Sequence, residues 1–393
     1  MIADQLGPGS ILGYCTNVHA GASLAQMRAN LERFALPVKA KVSPDAPMGV
    51  GLWLSAAAAQ QLAQPEQVQA LADWLGERGL RAFTFNGFPF GDFHEPRVKH
   101  RVYEPDWSDP RRLRYTRDLA RILAGLLPEG AEGSISTLPV GWRAAMARKP
   151  GALAAAAANL RDLVHHLARL ELDTGRLIHV DLEPEPGCCL DTGAGVVSFF
   201  REHLLGTADD LSTLSYLRVC HDVCHAAVMF ETQEETLALY RAAGIRVGKV
   251  QLSSALAADL DGADPAQRRA VLAQLRSFAE DRYLHQTVCR GPEGDSVFHE
   301  DLDAALAAAE TNAPAAGAQW RVHFHVPIFL NRIDALGTTS ADIVRCLRAI
   351  KMDDQVHHFE VETYAWGVLP PPLQTADLAD GITRELQWVR TQV

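Results

Sequence analysis

The chain is short of cysteine, of aromatic residues and of positive charge. Seven cysteines in 393 residues do not form a disulfide framework, and no second cysteine pair stands at zinc-site spacing. Lys and Arg number 37 against 48 Asp and Glu, for a net charge of −11. That balance argues against a protein whose work is clamping nucleic-acid phosphates, because such binding needs cations to neutralise them. No run reaches the roughly 18 apolar residues of a membrane span. Met1 to Gly9 lack a basic segment leading into an apolar one, so no secretory signal is expected and the cytoplasm is the default location. No Gly/Ser linker divides the chain, and no glycine-rich phosphate loop is evident. What is present is an apolar fraction of 48%, enough for a substantial core.

Short apolar or alternating runs are followed by longer helix-patterned stretches, which argues for β/α units around a parallel sheet. Candidate strands are 11–18, 49–54, 81–86, 133–138, 177–183, 216–222, 246–252, 320–326 and 357–363. Helical patterns lie between most of them. Nine candidates are one more than a (β/α)8 TIM barrel requires, and an open doubly wound sheet is the rival arrangement. Two segments break the rhythm. Residues 87–109 form an aromatic, proline-rich loop suited to cover a barrel mouth. Residues 253–319 contain a helix and a hairpin inserted after the seventh strand. The expectation is one TIM-barrel domain over 1–393.

Side chains alternate faces along a strand. His179, Asp181 and Glu183 share one face of 177–183; His358, Glu360 and Glu362 share one face of 357–363; Arg321, His323 and His325 share one face of 320–326. Lys249 lies with Gln251, and Cys15 and Asn17 with His19. If helices cover the apolar faces, these polar faces point into the barrel, and the residues nearest the strand C-termini line its mouth. Buried His, Asp and Glu are costly unless paired or bound to a cation. In Cys220-His221-Asp222-Val223-Cys224-His225-Ala226 a carboxylate stands three residues before an imidazole at a strand exit. Asp222 there is open to two roles, metal ligand or cap of the next helix. Mixed oxygen and nitrogen donors suit Mn²⁺, Zn²⁺ or Fe²⁺.

These residues resemble a known superfamily. Asp222-Val223-Cys224-His225-Ala226 is similar to the Asp-Thr-Cys-His-Ala element of the xylose isomerase-like TIM barrels, which include sugar epimerases and type IV apurinic endonucleases. The resemblance implies metal ligands at Glu183, Asp222, His225, Gln251 and Glu362, with His323 and His325 in place of the endonucleases' Asp-x-His pair. Gln251 stands where the endonucleases carry His, and their two early-strand histidines have only His19 and Asn86 as loose counterparts, so one or two divalent ions are implied instead of three. Seven motifs, among them Leu12 to His19, Asn86 to Gly91, Leu182 to Gly187 and Arg321 to Pro327, resemble the EboE metabolite-traffic proteins of a bacterial secondary-metabolite cluster.

The resemblance implies Glu183 and Glu362 as the catalytic pair, exchanging a proton at a substrate carbon. His19, Asn86, Glu185, Lys249, Phe88 and Trp366 are expected around the substrate, with Glu360 open to pairing with Lys249. Phe88, Phe90, Phe93, Tyr103 and Trp107 suggest an aromatic wall, hence a substrate with a ring or apolar portion. The leading expectation is a metal-dependent isomerase or epimerase acting on a small secondary-metabolite precursor. Alternatives are a phosphoesterase of the endonuclease type, an iron-dependent oxidase, and a non-catalytic metabolite carrier or scaffold. Expected partners are a small metabolite and other Ebo-cluster proteins, with self-association left open.

Overall fold

In the computed structural model, which describes residues 6–311, 318–351 and 355–393, the β/α alternation closes into a ring. The strands in chain order are β1 Ile11–Tyr14, β2 Met48–Trp53, β3 Leu80–Asn86, β4 Glu132–Thr137, β5 Leu177–Leu182, β6 Leu217–Asp222, β7 Val247–Leu252, β8 Leu256–Asp259, β9 Thr287–Arg290, β10 Ser296–His299, β11 Gln319–Val322, β12 Arg332–Ile333, β13 Leu336–Thr338 and β14 His358–Val361. Eight of them run parallel in the order β1-β14-β7-β6-β5-β4-β3-β2. A parallel bridge between Cys15 and Gly51 joins the two ends. Amphipathic helices such as Pro110–Leu126 and Ala152–Thr174 cover the outside, burying Leu119, Leu123, Leu160 and Leu167 against the outward apolar faces.

The ring encloses side chains, and glycine makes room for them. A Cβ on Gly13 or Gly49 would come within 2.8 or 3.2 Å of the Phe83 ring. One on Gly248 would stand 2.4 Å from Asp181 Oδ1, and one on Gly51 only 1.4 Å from Glu360 Oε1. Bulk on β3, β5 and β14 is thus matched by its absence on β1, β2 and β7, the interdigitation that fills a small barrel. At the centre Lys249 Nζ meets Glu360 Oε2 at 2.6 Å, both side chains fully buried. Nearer the strand N-termini, His179 stands between Asp181 (2.6 Å) and Glu132 (3.1 Å), and Arg218 joins Glu132 at 2.5 Å.

The surplus candidate strand belongs to a second sheet, six-stranded and antiparallel, in the order β10-β9-β11-β8-β13-β12. It has its own apolar cluster, including Leu256, Phe278, Trp320, Phe324 and Leu336. The expected hairpin is β9–β10. Of 320–326, only the part up to Val322 is strand; beyond it the chain leaves the ladder and carries His323 and His325 towards the barrel mouth. Strands β8, β12 and β13 have four, two and three residues, too short to show a period in sequence. The first candidate strand also ends early, at Tyr14, where a 3₁₀ turn over Thr16–Val18 swings Asn17 inward.

Two glycines give opposite expectations. Gly51→Ala forces apart the Lys249–Glu360 pair and should lower unfolding free energy by about 3 kcal/mol or more. Gly76, inside helix Pro65–Glu77 with open space around it, should gain roughly 0.5–1 kcal/mol on change to Ala. Denaturant unfolding of both variants checks the pair.

Candidate metal centre

Three carboxylates meet at the C-terminal ends of the strands. Glu183 follows β5, Asp222 ends β6 and Glu362 follows β14, and one oxygen from each lies within 4.8 Å of the others. All three are buried. The amides of Asn17 and Asn86 donate to Glu362 Oε1 at 2.7 and 2.8 Å. Asp222 Oδ1 accepts from the His225 backbone N–H and the Ser253 hydroxyl, each at 2.8 Å. It therefore caps helix Val223–Val228, while Oδ2 has no protein partner. Glu183 Oε2 and both polar atoms of the Gln251 amide are likewise buried without partners. The orphaned oxygens among these, Asp222 Oδ2, Glu183 Oε2 and the Gln251 side-chain oxygen, are acceptors that a bound cation would satisfy. Burial pushes all three carboxyls above their usual range, and repulsion between neighbouring carboxylates raises Glu183 and Glu362 further, the latter to about 8.

Beside this set lie three imidazoles. His225 Nε2 and His325 Nε2 each stand 3.2 Å from His323 Nε2. The other nitrogens face acceptors: His225 Nδ1 the Pro184 carbonyl (2.9 Å), His323 Nδ1 the Gln286 side-chain oxygen (2.8 Å), His325 Nδ1 the Glu362 carbonyl (2.7 Å). A carbonyl oxygen only accepts, so this network places the hydrogen on each Nδ1 and leaves each Nε2 with its lone pair. Lone pairs 3.2 Å apart, His323 against each of the other two, repel unless a proton or a metal ion sits between them. Burial pulls the rings down, His225 to about 3 and His325 to about 4, with His323 also well below its usual value, so no proton is held there at neutral pH. A tetrahedral ion with N ligands at 2.0–2.1 Å would set its nitrogens roughly 3.3 Å apart, close to this spacing. Asp222 with His225 and His325, Glu185 with His225 and His323, and Cys224 with His323 and His325 each bring three donor atoms within 4.8 Å. The residues thus fit an oxygen-rich site and an imidazole-rich site that share Asp222.

Above them is a cavity of about 60 Å³, walled by Asn17, Asn86, Phe88, Phe93, Tyr103, Glu185, Tyr283 and Tyr364 among others. It is smaller than the ~150 Å³ void that holds a benzene molecule. Tyr364 packs on His325 at 4.7 Å, and Phe93 on Tyr283 at 4.9 Å. Glu185 accepts from Tyr103 Oη at 2.7 Å and from Gln286 Nε2 at 2.8 Å; burial lifts its pKa to about 7.

Several expected substrate contacts lie elsewhere. His19 stacks on Phe34 and bonds the Tyr14 hydroxyl, because the early end of β1 turns it outward. Lys249 is held below the mouth by Glu360. Trp366 donates to Glu385 and packs under helix Leu378–Gln392. Of the aromatic loop, Phe90 packs on Tyr115 and Trp107 is core, its indole N–H on Thr137. Gln286, Asn17, Ser253 and Tyr283 were absent from the expected set. Asn17 carried a faint signal, its face shared with Cys15; Gln286 sits in the inserted segment, where no motif marks it.

No protein-family model matches this chain, and comparison with curated proteins returns no match. Among solved structures, a xylose isomerase-like TIM barrel protein from Mycobacterium smegmatis, in complex with magnesium, superposes with a TM-score of 0.51 at 10% identity, over 98% of this chain and 96% of that one. A D-tagatose 3-epimerase-like protein gives 0.49 at 12% identity, covering 97% of each chain. The 3-keto-D-glucoside 4-epimerase from E. coli gives 0.46 at 14%, covering 97% and 99%. The chain thus shares the (β/α)8 barrel fold of the Mycobacterium smegmatis protein. Among the described residues no helix is long and apolar enough to cross a membrane.

Two outcomes separate the roles of these groups. Asp222→Asn keeps an oxygen for the cap and should cost little stability without metal, whereas Asp222→Ala should cost about 1 kcal/mol or more; both should weaken metal binding, read by calorimetry on chelator-treated protein. The raised carboxyls also set a pH trend. Their folded pKa values exceed the unfolded ones, so the stability they contribute is full below about pH 4 and is lost as pH rises through about 8. Denaturation midpoints of metal-free protein should fall across that window.

Proposed function

We propose that this protein is a metal-dependent enzyme that isomerises or epimerises a small metabolite. One observation carries the proposal: two buried carboxyls with raised pKa, Glu183 and Glu362, converge at the cavity from strands three places apart in the ring. A carboxyl tuned towards neutrality serves as acid or base at the pH of the cell. Glu183, with Oε2 free, takes a proton from a carbon beside a carbonyl; Glu362, its Oε1 held by Asn17 and Asn86, returns one from the other side. Glu183, Asp222, Gln251 and Glu362 would hold one divalent ion, and His225, His323 and His325 with Asp222 or Glu185 a second, Mn, Zn or Fe. Bound there, an ion supplies Lewis-acid polarisation of the substrate carbonyl.

The walls support a substrate class. Among the described residues, Lys99 is the one lysine or arginine lining the cavity, and it is engaged by Asp301 at 2.6 Å and the Glu280 carbonyl at 3.1 Å. With no free cation for a phosphate among the described lining residues and with Phe88, Phe93, Tyr283 and Tyr364 around it, the cavity suits an uncharged, hydroxylated compound with a ring or apolar part. Likeness of the motifs to EboE proteins extends the proposal to a secondary-metabolite precursor, handled in the cytoplasm beside other Ebo-cluster proteins.

Metal analysis of protein as isolated should find one or two divalent ions per chain. Solvent deuterium should enter ketose and aldose substrates, and Glu183→Gln and Glu362→Gln should each lower kcat by about 10²-fold or more. A metal-free protein that catalyses no exchange with added Mn²⁺, Zn²⁺ or Fe²⁺ sinks the proposal. A second reading, two-metal phosphoester hydrolysis, draws on Asp222 being shared between the two donor sets; cleavage of abasic-site DNA with Zn²⁺ or Mn²⁺ would favour it.

A further inference from the structure

Gln286 is fully buried and lies between β8 and β9 of the second sheet, outside the barrel strands. Its amide nevertheless meets four groups at the mouth. The side-chain oxygen accepts from His323 Nδ1 at 2.8 Å. Its nitrogen faces Glu185 Oε1 at 2.8 Å, the Tyr103 hydroxyl at 2.8 Å and the Pro186 carbonyl at 3.3 Å. Its backbone carbonyl also accepts from the His323 N–H at 2.8 Å, and neighbouring His285 Nδ1 donates to the His323 carbonyl at 3.0 Å. Three of the four polar groups of His323 are therefore taken by residues 285–286, and only Nε2 is left for the cluster.

The need for such a clamp follows from the backbone. His323 is the first residue after β11, and its backbone bond to the Gln286 carbonyl holds the main chain there but leaves the ring free to turn. A free imidazole chooses between two tautomers, and only the Nδ1–H form turns a lone pair towards His225 and His325. The amide orientation is itself determined: Glu185 and the Pro186 carbonyl accept, so the Gln286 nitrogen must face them and its oxygen must face His323.

We propose that Gln286 is the positioning residue of the imidazole site. It fixes the His323 tautomer and ring plane, and with the same amide it ties that ring to Glu185 and to Tyr103 of the covering loop. The inserted sheet thereby becomes part of the metal centre. The proposal rests on the imidazole cluster binding a divalent ion, but its first half concerns the metal-free protein and is tested without one.

The test uses full-length protein labelled with ¹⁵N at histidine. In metal-free wild type, long-range ¹H–¹⁵N correlations should show His323 as the Nδ1–H tautomer, assigned by loss of its signals in His323→Ala. In Gln286→Met, of similar shape without hydrogen-bonding atoms, that tautomer should no longer dominate. Titration with Co²⁺ should then show 10–100-fold weaker binding at the imidazole site and an altered visible spectrum. Tyr103→Phe, which removes one hydroxyl and leaves the Gln286–His323 bond, should keep both tautomer and affinity. Wild-type His323 in the Nε2–H form overturns the proposal even if Gln286→Met fails to fold. So does a Gln286→Met protein with unchanged tautomer, or with unchanged Co²⁺ affinity and spectrum. If wild type binds no Co²⁺ while the tautomer responds as expected, the metal-dependent function fails and the positioning of His323 stands.

Discussion

Two imidazole lone pairs set against a third, those of His225 and His325 against His323, are the constraint on which the rest of this mouth depends. Left alone they repel, and burial denies them the proton that would relieve the repulsion. They are held there from three places in the fold: the Pro184 carbonyl after β5, the Gln286 side chain in the inserted sheet, and the Glu362 carbonyl after β14. Each anchor fixes a tautomer as well as a position. The arrangement is strained electrostatically unless a cation completes it, and the adjoining carboxylates supply the negative charge to retain one.

The interior below supports that mouth by its own charge balance. Burial pulls the Lys249 ammonium's pKa down, but the Glu360 carboxylate beside it more than offsets this and holds it above its usual value. That retained positive charge lowers Glu183 and Glu362 somewhat against the burial that raises them. Gly51 belongs to the same arrangement, since any side chain there would displace Glu360. An apparently blank position on β2 therefore bears on the charge state of residues at the far ends of β5 and β14.

Much of this was legible in the sequence because strand alternation is a strict period. It put His179, Asp181 and Glu183 on one face, and Glu360 with Glu362 on another, and those faces do point into the ring. What failed was whatever depended on where a strand ends. Treating 11–18 as continuous strand put His19 at the mouth; the turn after Tyr14 sends Asn17 there in its place. Lys249 lies on the expected face, fully buried and paired with Glu360. Gln286 was illegible for another reason: its partners are 101, 183 and 37 residues away in sequence, and nothing local distinguishes it from an ordinary buried amide.

The Asp222–His225 spacing has a more specific meaning than two ligands at a strand exit. Asp222 is the N-cap and His225 is the third residue of the short helix, and the bond from His225 N–H to Asp222 Oδ1 is an ordinary capping bond. That bond fixes the direction of the first helical turn, which leaves the His225 ring lying back over the barrel, within reach of Pro184 and His323. The cap is thus the means by which the imidazole is aimed, and it uses only one carboxylate oxygen. Ser253 occupies that same oxygen, so the other is left buried without a protein donor. The two roles that the sequence left as alternatives for Asp222 are compatible because a carboxylate has two oxygens, and the fold assigns the capping role to one of them and keeps the other clear.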